Sequence, residues 1–461
     1  MKLIKDDLSD PSYSAVFLQD NLAFQDAVDR YKKRRTQLLN NLEDICIIQG
    51  VTAAFSQQNP WLNRSKNLYQ DPIFLYLTGL NQNNCAIILN PFNKSCQLLL
   101  PNIDEKKVFW EGVFIGLSED AKQNQAIANA LGYDSIALHD DRYATLTTQL
   151  QAAAKRSCST FFFESPDANK QLKDHSFLSK KELDAALPNT TIKNIEPLLD
   201  HRPCLDAHDA HLMAEANTHT ANAFIHCCKQ LAHCRRENDV AAILKQKAYE
   251  ASFLGESFAP IVAQGENACI LHYNANNAAL EKGNLLLLDF GCRAGSIPAD
   301  ISRTIPISGR FNPLQKLLYT IVLEAQALVE ASCKEGVLIE DLNKKCWAHI
   351  ETQLHEKITA NGGVISRPYQ DKPHNVSHLI GHMVHDGDPY RRYYKNPLKA
   401  GMVISNEPGL YGYFECRIDG HLYQEHCGIR IEDDLLVTAR GCKNLSSDCP
   451  KSIEDIEALL R

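Results

Sequence analysis

The sequence predicts two domains: an α/β domain, then a larger α+β domain built from a duplicated half. Three observations carry this reading. The chain has 461 residues, more than one ordinary core accommodates. From about residue 31 to about residue 195, helical stretches alternate with short apolar runs such as residues 73–77, 85–89 and 97–100, the alternation of an α/β domain. The second half turns strand-rich and repeats a template of glycine, five residues, a carboxylate, one residue and glycine. It occurs as Gly283, Asp289, Gly291 and again as Gly401, Glu407, Gly409, so each matched position differs by 118 (401 − 283, 407 − 289, 409 − 291). Each copy reads as a strand that carries an acid at its C-terminal end and then turns at glycine.

In chain order, residues 1–30 are polar and unpatterned and read as a loosely held arm. Residues 31–198 form the α/β domain. Near its start, Lys32, Lys33, Arg34 and Arg35 precede an apolar helical stretch and read as a solvated helix face rather than a nucleic-acid patch. The segment from Pro197 to Asp209 is the linker candidate. Residues 199–461 form the second domain, opening on two helices over about 208–234 and 238–256.

Composition narrows the class. A net charge of −8, with 44% hydrophobic and 23% charged residues, describes a globular protein and argues against nucleic acid as a partner. No run approaches the roughly 18 apolar residues of a membrane span. The chain opens Met1-Lys2-Leu3-Ile4-Lys5-Asp6-Asp7 with no apolar signal region, so the sixteen cysteines are read as reduced thiols in the cytoplasm. His226, Cys227, Cys228, His233 and Cys234 resemble a zinc set, but adjacent cysteines on a helix face different ways.

The chemistry-bearing residues lie in the duplicated half. Asp300 follows Asp289 after Gly291, Gly295 and Pro298, and a hairpin there returns it beside Asp289. In residues 428–433 the period-two alternation puts Arg430 and Glu432 on one face, opposite Ile429 and Ile431. Four converging carboxylates repel one another and raise their own pKa values unless cations intervene. Two divalent ions balance four acids, and oxygen-rich ligation favours Mn²⁺, with Co²⁺ and Zn²⁺ as alternatives. His374, His378, His382 and His385 fall within twelve residues. The His374/His378 spacing imitates HExxH, but Asn375 stands where that motif has its glutamate. Gly381 points to a loop or strand there rather than a helix.

Residues 265–273, 288–291, 300–304, 374–386, 407–411 and 428–433, taken in that order, resemble the aminopeptidase P branch of the pita-bread metallopeptidases. Residues 76–79 and Trp110-Glu111-Gly112 resemble that family's N-terminal domain. The resemblance implies a creatinase-like α/β N-terminal domain and an α+β pita-bread catalytic domain with a pseudo-two-fold repeat. It implies that Asp289 ligates one metal, that Asp300 and Glu432 bridge the pair, and that His378 and Glu407 hold the second. It further implies a bridging hydroxide as nucleophile, Glu407 as proton acceptor, and His385 as hydrogen-bond donor to the carbonyl oxygen. His272 would act beside them, and His374, Arg430 and Tyr411 would line or back the substrate pocket. The implied substrates are peptides with proline at the second position, and the implied assembly is a homodimer or homotetramer.

The sequence departs from the family pattern at Asn375, where glycine is common, and at Tyr69 and Phe114, where arginine is usual. Residues 202–206 also lack the usual lysine. Prolidase, a dipeptidase with the same ligands, is the nearest alternative; Ser377, where many prolidases have glycine, favours the aminopeptidase. A non-catalytic peptide- or histone-binding relative is the alternative from another class, opposed by the intact ligand set and the acidic charge.

Overall fold

A computed structural model of the chain describes residues 7–14, 16–50, 70–102, 106, 108, 109, 112–138, 159–163, 185, 191–386 and 395–461. Tyr69, Trp110 and Glu111, singled out above, lie outside the described residues. The chain divides into two compact units, residues 1–202 and 203–461.

In the first unit, α1 (Phe24–Asn40), β1 (Cys46–Gln49), α2 (Pro72–Thr78), β2 (Ala86–Asn90) and β3 (Ser95–Leu100) are followed by α3 (Ala121–Ala130), β4 (Ser135–Leu138), β5 (Ser159–Phe163) and β6 (Thr191–Asn194). The strands form one mixed sheet in the order β4-β3-β2-β1-β5-β6. Two of the apolar runs are strands β2 and β3, as expected, but residues 73–77 are helical. Asp71 caps this helix by accepting from the Ile73 and Phe74 amides, Pro72 opens it and Gly79 ends it in a left-handed conformation (φ 69°). Its side chains are buried all round, so no amphipathic period marks it as a helix.

The basic run also departs from expectation. Lys32 and Lys33 are exposed, but Arg34 and Arg35 are buried. Arg34 donates to the Tyr76 carbonyl (3.1 Å) and Arg35 to the Leu77 carbonyl (2.9 Å), satisfying orphan acceptors at the C-terminus of α2. Arg35 also reaches the Leu131 and Gly132 carbonyls and lies 3.9 Å from the Tyr133 ring centroid. Hydrogen bonds from charged groups contribute about 1.5–3 kcal/mol each. Arg35→Ala is therefore expected to destabilise this unit by about 2–4 kcal/mol, read as a lower urea midpoint; an unchanged midpoint would make the cluster dispensable. The supposed loose arm is likewise docked in part. Tyr13, Phe17 and Leu18 are buried, and the Leu18 amide donates to the Gly79 carbonyl (2.8 Å).

The second unit opens on α4 (Ala207–Gln230) and α5 (Glu237–Ala251). Then come β7 (Ile261–Gln264), β8 (Leu285–Phe290), β9 (Arg293–Ala294), β10 (Ile297–Pro298) and β11 (Ile301–Pro306). The helices α6 (Pro313–Ser332) and α7 (Ile339–Lys357) lead to β12 (Val364–Ser366), β13 (Leu379–Ile380), β14 (Val403–Asn406), β15 (Gly409–Ile418), β16 (His421–Arg430), β17 (Asp433–Val437), β18 (Cys442–Asn444) and α8 (Ile453–Leu459). Cys227 and Cys228 pack in the main core with Phe224, Leu288 and Ile404, and they take part in none of the possible metal-ligand groups among the described residues.

The repeat is visible in the backbone. Strands β8 and β14 begin at residues 285 and 403, and each follows a glycine with positive φ, Gly283 (107°) and Gly401 (92°). Strand β8 pairs antiparallel with β11, and β14 with β17. Asp289 is the penultimate residue of β8 and Glu407 immediately follows β14, while in both halves the second acid immediately precedes the partner strand. A Cβ on Gly291 would fall 1.8 Å from the Ala299 carbonyl oxygen, so the turn that brings Asp300 back depends on a bare backbone there.

Candidate metal centre

Strand pairing assembles the acids. Asp289 on β8 faces Ser302 on β11, and Asp300 stands two residues before that serine. Glu407 follows β14, with its amide bonded to the Val376 carbonyl (2.9 Å). Glu432 lies in the turn between β16 and β17, with its amide bonded to the Ser302 carbonyl (3.0 Å). The charged face of residues 428–433 thus looks into the protein, not into solvent. Three overlapping groups result: Asp289, Asp300 and Glu432; His378, Glu407 and Glu432; and Asp300, His378 and His385. Within each, the possible ligand atoms lie within 4.8 Å of one another.

The electrostatics are those of a site short of positive charge. Burial first, and then the neighbouring carboxylates, push Asp300 and Glu432 well above the usual carboxylate range. Burial also raises Glu407, to about 8; Arg430 opposes that rise and Asp289 adds to it. Arg430 donates to Asp289 Oδ2 at 2.6 Å, while Asp289 Oδ1 is buried with no hydrogen-bond partner. His378 Nδ1 lies 3.3 Å from the Leu379 carbonyl, which can only accept, so Nδ1 carries the proton. Nε2 then turns a lone pair toward Asp300 Oδ2 (3.6 Å) and Glu407 Oε1 (3.4 Å). Burial holds His378 well below its usual pKa, keeping the ring neutral. A neutral imidazole nitrogen and an unpaired carboxylate oxygen facing further carboxylates fit cation ligation, and the oxygen-rich donor set suits a hard or borderline divalent ion.

A second line of groups backs these residues. His374 Nδ1 donates to the Asn375 carbonyl (2.7 Å), so its Nε2 accepts from the Tyr411 hydroxyl (3.0 Å), whose oxygen accepts from Arg430 (3.0 Å). Burial, reinforced by Arg430, holds His374 at about 4, so the ring is neutral and this order is fixed near neutral pH. Tyr411 is buried behind His374 and does not line the cavity. His272 and His385 are exposed at the cavity wall, and the His385 ring stacks on His378 with centroids 4.0 Å apart. The cavity encloses about 650 Å³. His382 lies away from it, 3.6 Å from Asp209.

Several supporting residues escaped sequence reasoning. Ser302 donates to Glu432 (2.7 Å) and accepts from Arg430 Nε (2.8 Å), and Ser405 bonds Glu407 (3.3 Å) and the His378 amide (3.0 Å). Arg303, fully buried, pairs with Asp433 (2.7 Å) and donates to the Glu432 carbonyl (2.6 Å), fixing the turn that presents Glu432. Asp434 accepts from the Asp300 amide (3.2 Å) and from Asn217 (2.8 Å). Period two from Asp300 puts Ser302 and Thr304 on its face, which is a legible signal. Asn217 sits on α4, far away in sequence, and nothing local marks it.

Residues 211–439 match metallopeptidase family M24, and residues 31–150 match the aminopeptidase P N-terminal domain. The chain belongs to metallopeptidase family M24. Its architecture is that of aminopeptidase P, an α/β N-terminal domain followed by a pita-bread catalytic domain, and it is a hydrolase. Among similar proteins, the Xaa-Pro aminopeptidase of Haemophilus influenzae is 29% identical over 85% of this chain and 88% of its own length. The mitochondrial intermediate cleaving peptidase 55 of Arabidopsis thaliana is 28% identical over 85% of this chain and 75% of its own. The structure of proline aminopeptidase P II from Yersinia pestis superposes with a TM-score of 0.76 at 26% identity, covering 94% of this chain and 99% of that one. In this M24 hydrolase the paired halves bring all five expected ligand side chains to one cavity.

Proposed function

We propose that this M24 hydrolase is an aminopeptidase that removes the first residue from peptides whose second residue is proline. The observation that carries the reading is the convergence of Asp289, Asp300, Glu407, Glu432 and the lone pair of His378 on one cavity. Asp289 would help hold one ion and His378 and Glu407 a second, with Asp300 and Glu432 shared by the pair and Mn²⁺ ahead of Co²⁺ or Zn²⁺. Two such ions, when bound, supply Lewis acidity and a water of depressed pKa as the nucleophile.

The protein's own residues do the rest. Four carboxylates and Arg430 sum to −3, so two divalent ions leave +1, a charge that favours an anionic oxygen nucleophile. Glu407 takes up the proton that the nucleophile loses. His385, exposed on the cavity side of His378, donates to the carbonyl oxygen as it gains charge. His272 and His374 border the bound peptide, and Arg430 and Tyr411 fix His374 from behind.

Proline explains the specialisation. The Xaa-Pro amide has no N–H, so a protease that relies on that donor loses a contact. The test is hydrolysis by Mn²⁺-loaded protein of Xaa-Pro against Xaa-Pro-Yaa. Release of the first residue from the longer peptide is expected. Cleavage of the dipeptide alone would make the protein a prolidase, and cleavage of neither would revive a binding role.

We place the protein in the cytoplasm, the compartment that suits its free cysteines. The Arabidopsis relative is named as mitochondrial, so cell fractionation is the relevant check. No described helix is long and apolar enough to cross a membrane. The homo-oligomer implied by the resemblance is tested by light scattering.

A further inference from the structure

The cavity changes electrostatic character toward its mouth. Its interior is lined by the four carboxylates, while Glu340, Lys372 and Lys395 lie on the rim. Glu340, in the first turn of α7, is already engaged by Lys344 one turn later (2.9 Å). That hydrogen bond leads in holding Glu340 below the usual carboxylate range, with the Lys372 and Lys395 charges acting in the same direction. Both ammonium groups therefore stand near a carboxylate that already has a partner, and the rim is left with surplus positive charge.

Lys372 is also held in place. Its Nζ donates to Asn375 Oδ1 (3.0 Å), which accepts in addition from Asn343 Nδ2 (3.3 Å); Asn343 Oδ1 in turn accepts from the Val376 amide (2.6 Å). These bonds tie α7 to the segment bearing His374 and His378. Lys372 lies two residues before His374, whose Nδ1 is 3.6 Å from Glu407. A peptide residue spans at most about 3.6 Å, so the Lys372 backbone lies within about two peptide residues of His374, and this rim stands a short peptide's length from Glu407. A peptide held with its amino end among the acids presents its carboxyl end to the lysines.

We propose that Lys372 and Lys395 form a carboxylate-binding rim that selects short peptides with a free C-terminus one or two residues beyond the scissile bond. Longer chains and protein N-termini, whose carboxylate lies elsewhere, gain nothing from it. This specificity rests on the aminopeptidase reading, but it can be measured without turnover.

The experiment is calorimetric titration of Mn²⁺-loaded protein with the dipeptide Pro-Ala and with its C-terminal amide. The free acid is expected to bind about tenfold tighter, in line with one or two partly exposed ion pairs. Lys372→Met combined with Lys395→Met is expected to bring the acid down to the affinity of the amide while leaving the amide unchanged. Lys372→Arg should restore the preference, and salt should shrink it. Equal affinities in the wild type, or a preference that survives in the double variant, would overturn the rim. Preference for the acid without cleavage of any Xaa-Pro-Yaa peptide would sink the aminopeptidase reading and leave the rim standing. Cleavage without that preference would do the reverse.

Discussion

Glu407→Gln is expected to lower turnover about a thousandfold while leaving the fold intact. Its Oε1 is within 3.3 Å of Ser405 Oγ and 3.4 Å of His378 Nε2, and its Oε2 lies 3.6 Å from His374 Nδ1. Both rings are neutral near pH 7, and neither aims a free N–H at the carboxylate: His374 Nδ1–H goes to the Asn375 carbonyl, and His378 Nδ1–H lies by the Leu379 carbonyl. Glu407 is therefore the group able to take a proton there once bound ions keep it ionised. Glutamine keeps the shape and an oxygen donor but cannot accept a proton. General acid–base catalysis contributes about 10²–10⁴-fold, so the loss should fall on kcat with KM little changed. Asp289, Asp300 and Glu432 remain together in the variant, so elemental analysis should still find bound metal. Turnover within tenfold of wild type would place the proton acceptor elsewhere.

Chelation is expected to destabilise the protein strongly at pH 8 and only slightly near pH 5. Without ions, Asp300, Glu432 and Glu407 have folded-state pKa values raised above those of an unfolded carboxyl, about 4. Burial raises Asp434 as well, to about 7. A raised pKa means that the folded state binds the proton more tightly. The associated stability is complete below the unfolded value and is lost as pH rises toward 8, by at most about 1.4 kcal/mol per pH unit for each carboxyl. Bound ions reverse the trend, because they need the ionised form and bind better as pH rises. Asp433 has the opposite sign. Burial alone would raise it, but Arg303 and Lys451 hold it low, so its contribution disappears only below about pH 4, outside this window. Thermal unfolding with and without chelator at pH 5.5 and pH 8 checks the prediction. A metal-free protein more stable at pH 8 than at pH 5.5 would contradict it.

Two of the expected ligands, Asp289 and Glu407, were legible because the duplicated strand writes them locally. Glycine, apolar run, acid and glycine together encode a buried strand that ends in a carboxylate, and the second-half template predicted where β8 and β14 would lie. Local patterns failed where burial came from the far side of a domain. Arg34 and Arg35 read as solvated because charge normally faces water, yet the carbonyls of α2 needed donors and the two arginines supply them. The run at residues 73–77 read as one of the sheet-forming apolar stretches because a helix buried all round has no polar face to reveal its period.

By itself, then, the sequence determined the two-part fold class, the residue types expected as metal ligands and the strand ends beside which four of them lie. Those are consequences of short-range pattern, in which the period of a strand and the chemistry of its last residue are fixed together. Tertiary structure alone decided the support. Arg303 and Asp433 brace Glu432, Asp434 and Asn217 hold Asp300, Ser302 joins Arg430 to Glu432, and the Arg430–Tyr411–His374 chain sets a tautomer. Most of these bonds join segments more than a hundred residues apart, and the Tyr411–His374 bond depends on which ring nitrogen already has a partner. Such contacts exist only once burial has removed water as the competing donor and acceptor.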